Sequence, residues 1–314
     1  MKYIIGLLLL FSYAHAEAPQ TKMPAPGYYH FMVGDIEVTP LLDGAFPMKP
    51  GEILQGIKAE EVNTLLNQAY EGPTVITSVN AFLVNTGTKL ILIDSGMGTG
   101  MMPNMGHVIE NMRAAGYKPE QVDEIYITHM HGDHIGGITA NGKKNFPKAV
   151  VRVDRRDADY WLSETEAAKA TNPMLKSNFA NAKVNVAPYK ADGKFKPFDG
   201  ETELSPGITA HPAYGHTPGH TVYTIESKGQ KLWLLGDMIH VAAVQFPKPG
   251  VTLAFDSDTK AAAAIRAKDF AQAAKSNDLI AAAHLAFPGV GHIKKNGSGY
   301  IFMPLAYGWS STVK

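Results

Sequence analysis

The chain has 314 residues, 45% hydrophobic and 18% charged, a balance that excludes an intrinsically disordered polymer and leaves ample material for a large core. Lysine plus arginine and aspartate plus glutamate number 29 each, so no net field draws the chain to nucleic acid or an anionic membrane, and the expected partner is small and neutral. Cysteine is absent, which excludes a disulfide framework, a thiolate nucleophile and a cysteine metal ligand; any reactive site must be built from nitrogen and oxygen.

At the start, Lys2 precedes the apolar run Tyr3–Phe11 and the small-x-small sequence Ala14-His15-Ala16. This reads as an export leader over residues 1–16, cleaved after Ala16; the run is much shorter than the roughly 20 residues of a membrane-spanning helix. The expectation is a periplasmic or secreted mature protein with no stable membrane anchor. Residues 17–27 carry Pro19, Pro24 and Pro26 and predict an extended arm, and residues 28–314 form the folded domain, as one unit or two fused halves.

Alternation over Ile36–Leu42 predicts a strand, and the leucine spacing over Glu60–Tyr70 predicts a helix. Val79–Val84 and Lys89–Ile93, flanking Asn85-Thr86-Gly87-Thr88, read as a hairpin, and Asn104–Ala115 as a helix stopped by Gly116. Further on come a strand at Ala149–Val153 and a helix over Arg156–Ala170. The stretch Thr171–Gly193 is opaque and reads as a lid or an oligomer contact. Strands are expected at Ile208–His211, Thr221–Ile225, Lys231–Leu235, Leu279–Ala283 and Tyr300–Leu305, with a helix at Thr259–Ala274. Strands mixed with helices in each half indicate an α/β fold. Lys89–Asp94 and Lys231–Asp237 share a basic start, an apolar strand and a closing aspartate, which hints at two related halves.

Between these elements lies Thr128-His129-Met130-His131-Gly132-Asp133-His134, three imidazoles and a carboxylate within six positions. It follows the alternating Ile125 and Ile127 of a strand and precedes Ile135-Gly136-Gly137, where a helix can begin. If the segment stays extended, His129 and His131 share a face and grip one ion, and the turn at Gly132 re-aims Asp133 and His134 to a second. A polar loop or surface histidines are the bland alternative; burying several unpartnered imidazoles is costly. Gly215-His216-Thr217-Pro218-Gly219-His220, Asp237 and His284 each end or follow a predicted strand, where such sites gather ligands.

In the order of these elements the chain resembles the metallo-β-lactamase superfamily, from about Tyr28 onward. The resemblance implies a four-layered αββα sandwich with two divalent metal ions per chain. One would be held by His129, His131 and His216 and the other by Asp133, His134 and His284, with Asp237 bridging and Asp94 fixing a ligand imidazole from behind. Nitrogen and oxygen ligands suit zinc best, with cobalt, manganese or iron left open. Two cations sharing a carboxylate would hold a hydroxide between them at neutral pH, with Asp133 and Asp237 managing protons around it.

The segments Ala25–Tyr29, Val122–Thr128, Val241–Phe246 and Phe287–His292 look closest to the exported methyl parathion hydrolase branch and its lactonase relatives. The resemblance implies cleavage of lactones or aryl esters, with organophosphate triesters as the rival substrate and a homodimer as the expected assembly. A β-lactamase and an iron-dependent sulfur dioxygenase are the more distant alternatives. Trp161 and Phe179 match aromatic pocket walls of that branch. His240 stands three residues after Asp237, where the phosphotriester-cleaving relatives carry an aliphatic side chain, and favours a carboxylic ester. His220 and His292 read as structural, tying loops to the backbone.

Overall fold

A strand that sends successive side chains to opposite faces can be apolar throughout only if both faces are covered. Leu90–Ile93 is such a strand in the computed structural model, which describes residues 18–22 and 25–308; the expected leader lies outside the described residues. Leu90 and Leu92 join a core with Trp161, Phe179 and Val186 of the covering helices, whereas Ile91 and Ile93 join a second core with Tyr223 and Leu234 of another sheet. A third core sets Phe270 and Ala273 of the helix Thr259–Ser276 against Val222 and Ile280. Helix, sheet, sheet and helix therefore stack in four layers, as expected.

The first sheet has six strands in chain order: Phe31–Val33, Ile36–Met48, Val75–Asn85, Leu90–Ile93, Glu124–Tyr126 and Val150–Arg152. The second has seven, Thr202–Ser205, Ile208–Pro212, Thr221–Ser227, Gln230–Leu234, Leu279–Ala281, Val290–Asn296 and Gly299–Pro304. The two short strands that share the basic-apolar-aspartate pattern occupy equivalent places. Leu90–Ile93 lies antiparallel to its predecessor and parallel to its successor, and so does Gln230–Leu234. Each changes the sheet from hairpin to crossover pairing, and each is followed within three residues by an aspartate of the site, Asp94 or Asp237. Ligands of α/β sheets gather outside strand carboxyl ends at such changes of connection.

Several elements depart from the sequence reading for identifiable reasons. The helix expected from Asn104 starts only at Val108, because Asn104 and Gly106 hold left-handed φ values of 60° and 92°. The single helix expected over Arg156–Ala170 is two, Arg155–Trp161 and Glu164–Lys169, because Ser163 accepts from Glu166 N at 3.2 Å and caps a new start. The opaque stretch is a 19-residue helix, Pro173–Ala191. Asn172 caps it by accepting from Leu175 N at 2.8 Å, and Pro173 sits in its first turn, where a missing N–H costs nothing. Buried Arg266 donates to the carbonyls of Met238, Pro249 (3.0 Å) and Val251 (2.7 Å), fixing the segment that follows Asp237. No helix among the described residues is long and apolar enough to cross a membrane.

Candidate metal centre

The histidine-rich segment leaves the strand Glu124–Tyr126 and is fastened at once. Thr128 donates its N–H to Asp94 Oδ1 and its hydroxyl to Asp94 Oδ2, both at 2.8 Å. His131 is still extended, and a short helix, Gly132–Ile135, begins three residues earlier than expected, so that Asp133 and His134 occupy its first turn. The chain thus changes from a two-residue to a helical repeat in the middle of the motif. That separates the pair His129 and His131 from the pair Asp133 and His134.

The remaining ligand candidates converge on these two pairs. His129 Nε2 lies 2.9 Å from His131 Nδ1, which lies 3.2 Å from His216 Nε2. Asp237 Oδ2 is 3.2 Å from His216 Nε2 and 3.5 Å from His129 Nε2. The other carboxylate oxygen, Oδ1, faces the second set, 3.1 Å from His134 Nε2 and 3.2 Å from His284 Nε2. Asp133 Oδ2 completes that set at 3.6 Å and 3.4 Å from the same two nitrogens. All seven expected ligand residues therefore meet, in two sets that share Asp237. Ligands about 2.0–2.1 Å from a tetrahedral zinc lie roughly 3.3 Å from one another, and these separations match that edge. Buried His134 Nε2 and Asp237 Oδ1 have no hydrogen-bond partner, as ligand atoms awaiting a cation would. The residues present fit two divalent cations.

Outer contacts set the tautomers. His134 Nδ1 donates to Asp94 Oδ2 at 2.8 Å, His216 Nδ1 to Asp256 Oδ1 at 2.8 Å and His284 Nδ1 to the carbonyl of Ser78 at 2.9 Å. Each bond turns Nε2 inward, so that in the neutral ring its lone pair is the one available to a cation. Asp94 thus stands where the sequence placed it, and Asp256 was missed because it reads as one more turn residue before the helix cap Asp258. Asp157 was missed for a similar reason, sitting inside a predicted helix. It is fully buried and accepts from Met130 N at 2.7 Å and Gly219 N at 2.9 Å, so one carboxylate bolts the loop of His129 and His131 to the loop of His216. A methyl group at Gly219 would lie 2.3 Å from Asp157 N, so this approach requires glycine. His220 ties Ala213 O (3.1 Å) to Asp237 N (3.0 Å), and His292 Nδ1 meets Asp278 O at 3.2 Å.

Two cavities open beside this centre. One, of about 570 Å³, has His131, Asp133, Asp237, His240 and His284 at its floor, and Phe46, Phe255 and several methionines as walls. The other, of about 510 Å³, is lined by Trp161, Tyr160, Asn178 and Phe255 and also reaches His131. His240 and Trp161 therefore line the space expected of them. Phe179 does not: it is buried behind Trp161, ring centroids 4.8 Å apart, and supports the wall from the core.

Charge among these residues is divided. Burial lowers His129 well below the ordinary imidazole value, and takes His131 down to about 3 and His240 to about 4. Burial also opposes charge on His216 and His284, but Asp237 with Asp256 beside the first, and Asp237 with Asp133 beside the second, hold them at about 9 and about 10. Asp133 and Asp237 stay below the usual carboxylate range because the surrounding imidazoles outweigh their burial. The raised histidines stabilise the metal-free fold fully below their ordinary value near 6.5, and that contribution is lost as pH rises through about 9 to 10.

Two outcomes follow. Metal uptake near neutral pH should expel protons from His216 and His284, so apparent affinity should climb with pH towards about 9, as read by zinc titration against a chelator and by proton release in weak buffer; an affinity independent of pH would contradict the picture. Asp157→Ala should weaken metal binding about 10- to 100-fold, since it frees both ligand loops. Unaltered affinity in that variant would remove its bolting role.

The chain is similar to known proteins over most of its length. The Metallo-beta-lactamase superfamily model matches residues 75–284. Among solved structures, the chain is similar to "hydrolase AbOPH in beta lactamase superfamily", with 38% identity, a TM-score of 0.87, and coverage of 91% of this chain and 100% of that one. It is also similar to AidC, described as a dizinc quorum-quenching lactonase in complex with a homoserine product, with 28% identity, a TM-score of 0.81, and coverage of 90% and 98%. An N-acyl homoserine lactonase of Bacillus cereus is 28% identical over 174 residues, 49% of this chain and 60% of that protein's length. The profile match covers most of the chain, including every ligand position named above, and the chain belongs to the metallo-β-lactamase superfamily.

Proposed function

We propose that the protein is an exported, metal-dependent hydrolase that opens lactones or cleaves aryl esters, with two divalent cations, zinc by preference, in the centre described. The observation that carries this reading is the division of Asp237 between two ligand sets, one oxygen to each. Bound there, the cations would supply a water acidic enough to attack at neutral pH and a Lewis acid for the carbonyl oxygen. The chain's own residues do the rest. Asp133 is the most exposed carboxylate of the centre, 20% against 3% for Asp237, and faces the larger cavity, where it can carry a proton to the leaving oxygen.

His240 sets the substrate class. Its Nε2 lies 3.0 Å from Asp237 Oδ2 and its ring lines the cavity floor, while Gln245 Oε1 accepts from the backbone N–H of His240 (2.7 Å) and of Val241 (3.0 Å). Once Asp237 is committed to cations, that Nε2–H becomes a donor for the carbonyl oxygen of an ester or lactone. The lactonase similarity of AidC and of the Bacillus cereus protein supports the same class. An organophosphate triesterase is the alternative on the same centre.

Purified, metal-quantified enzyme should therefore turn over dihydrocoumarin or an acyl-homoserine lactone faster than methyl parathion, and His240→Leu should lower the lactone rate about tenfold or more while sparing the phosphotriester. A strong preference of the wild type for methyl parathion would reverse the assignment. Export rests on the leader-like residues 1–16 and predicts a mature chain beginning at Glu17. Amino-terminal sequencing of protein from the periplasm or medium checks it, and an intact Met1 would refute it. A homodimer is proposed on the branch resemblance alone.

A further inference from the structure

Five methionine thioethers line the larger cavity. Met48 and Met97 are buried within it, while Met101, Met102 and Met174 line it and remain 43%, 39% and 51% exposed. Among the described residues one other methionine, Met303, is counted with the large exposed apolar side chains, and it lines neither cavity beside the metal centre. The three come from two separate segments, the loop after Asp94 and the first turn of the helix Pro173–Ala191. Met101 reaches the metal loop itself: a methyl group built on Gly132, between His131 and Asp133, would sit 3.2 Å from Met101 Cε. Met174 lines both cavities, so it stands where they adjoin.

We propose that Met101, Met102 and Met174 form a sulfoxidation site that closes the cavity to apolar substrates. The oxidant is hydrogen peroxide. Its O–O bond breaks as one oxygen bonds to the thioether sulfur, which is oxidised by two electrons, and the other oxygen leaves as water with both hydrogens. A flexible apolar wall becomes a dipolar sulfoxide that has to be desolvated whenever an apolar group enters. The buried methionines of the core, such as Met112 and Met130, are shielded from the same reagent. With no cysteine in the chain, methionine is the residue available for a reversible sulfur oxidation, and methionine sulfoxide reductases undo it. The consequence for turnover rests on the hydrolase reading above, whereas the modification itself does not.

The test treats metal-loaded wild type with hydrogen peroxide, maps sulfoxides by peptide mass, and measures kinetics on the best ester found together with binding of the neutral apolar fluorophore N-phenyl-1-naphthylamine. Oxygen should appear at Met101, Met102, Met174 and Met303 before any buried methionine. KM for an ester with a large apolar group should rise at least about fivefold, the low end of what burying an unpartnered polar group costs, with kcat and metal content unchanged. The fluorophore should weaken in parallel, and this arm decides the matter even if no ester is turned over. The triple variant Met101→Leu, Met102→Leu, Met174→Leu should show no response to peroxide relative to its own untreated sample. Met303→Leu should respond like wild type, and reductase should restore both readouts. Oxidised cavity methionines with unmoved KM and probe binding would overturn the proposal, as would an equal response in the triple variant.

Discussion

One buried carboxylate facing two groups of imidazole nitrogens is the constraint on which the rest of this structure depends. Asp237 turns Oδ2 to His129 and His216 and Oδ1 to His134 and His284, with every one of these side chains removed from solvent. A charge held so deeply is destabilising unless compensated, and the neighbouring imidazoles compensate it. The rings of His134, His216 and His284 are fixed from behind, by Asp94, Asp256 and the carbonyl of Ser78 respectively, which holds them against that charge. The cage is therefore held in place by hydrogen bonds outside it, and its residues fit two divalent cations.

The two sheets explain how segments so far apart in sequence reach one point. Each sheet places its switch from hairpin to crossover pairing at a short apolar strand, and each such strand delivers an aspartate to the same edge of the sandwich. The halves contribute differently: Asp94 stays behind a ligand imidazole while Asp237 enters the centre. The loop ending at His284 is drawn to that edge by the first sheet, since Asn80 donates its backbone N–H to Ala283 O at 2.9 Å and its amide to Leu285 O at 2.8 Å. Ligand convergence and sheet packing are thus the same contact.

Much of the site was legible because ligand chemistry restricts residue type. The histidine cluster at a strand end is written in local sequence, whereas the glycine-punctuated histidine loop, Asp237 and His284 were assigned through their order in the family resemblance, and all meet in space. The short strands before Asp94 and Asp237 were legible from their apolar runs. What escaped were groups whose role is relational. Asp157 and Asp256 look like ordinary helix and turn carboxylates, and only the fold shows that one joins two ligand loops and the other orients His216. Phe179 shows the converse: an aromatic in the expected region that serves the core rather than the cavity. The helix Pro173–Ala191 escaped because Pro173, Pro188 and its asparagines read as loop, whereas the Asn172 cap and the tolerance of the first turn for proline admit a helix.

Anomalous diffraction from crystals of the metal-loaded protein, recorded across the absorption edge of the bound element, tests the division of Asp237 most directly. Two anomalous peaks are expected on either side of Asp237, one against His129, His131 and His216 and the other against Asp133, His134 and His284. A single peak, or a second one placed away from His284, would contradict a centre that divides one carboxylate between two cations.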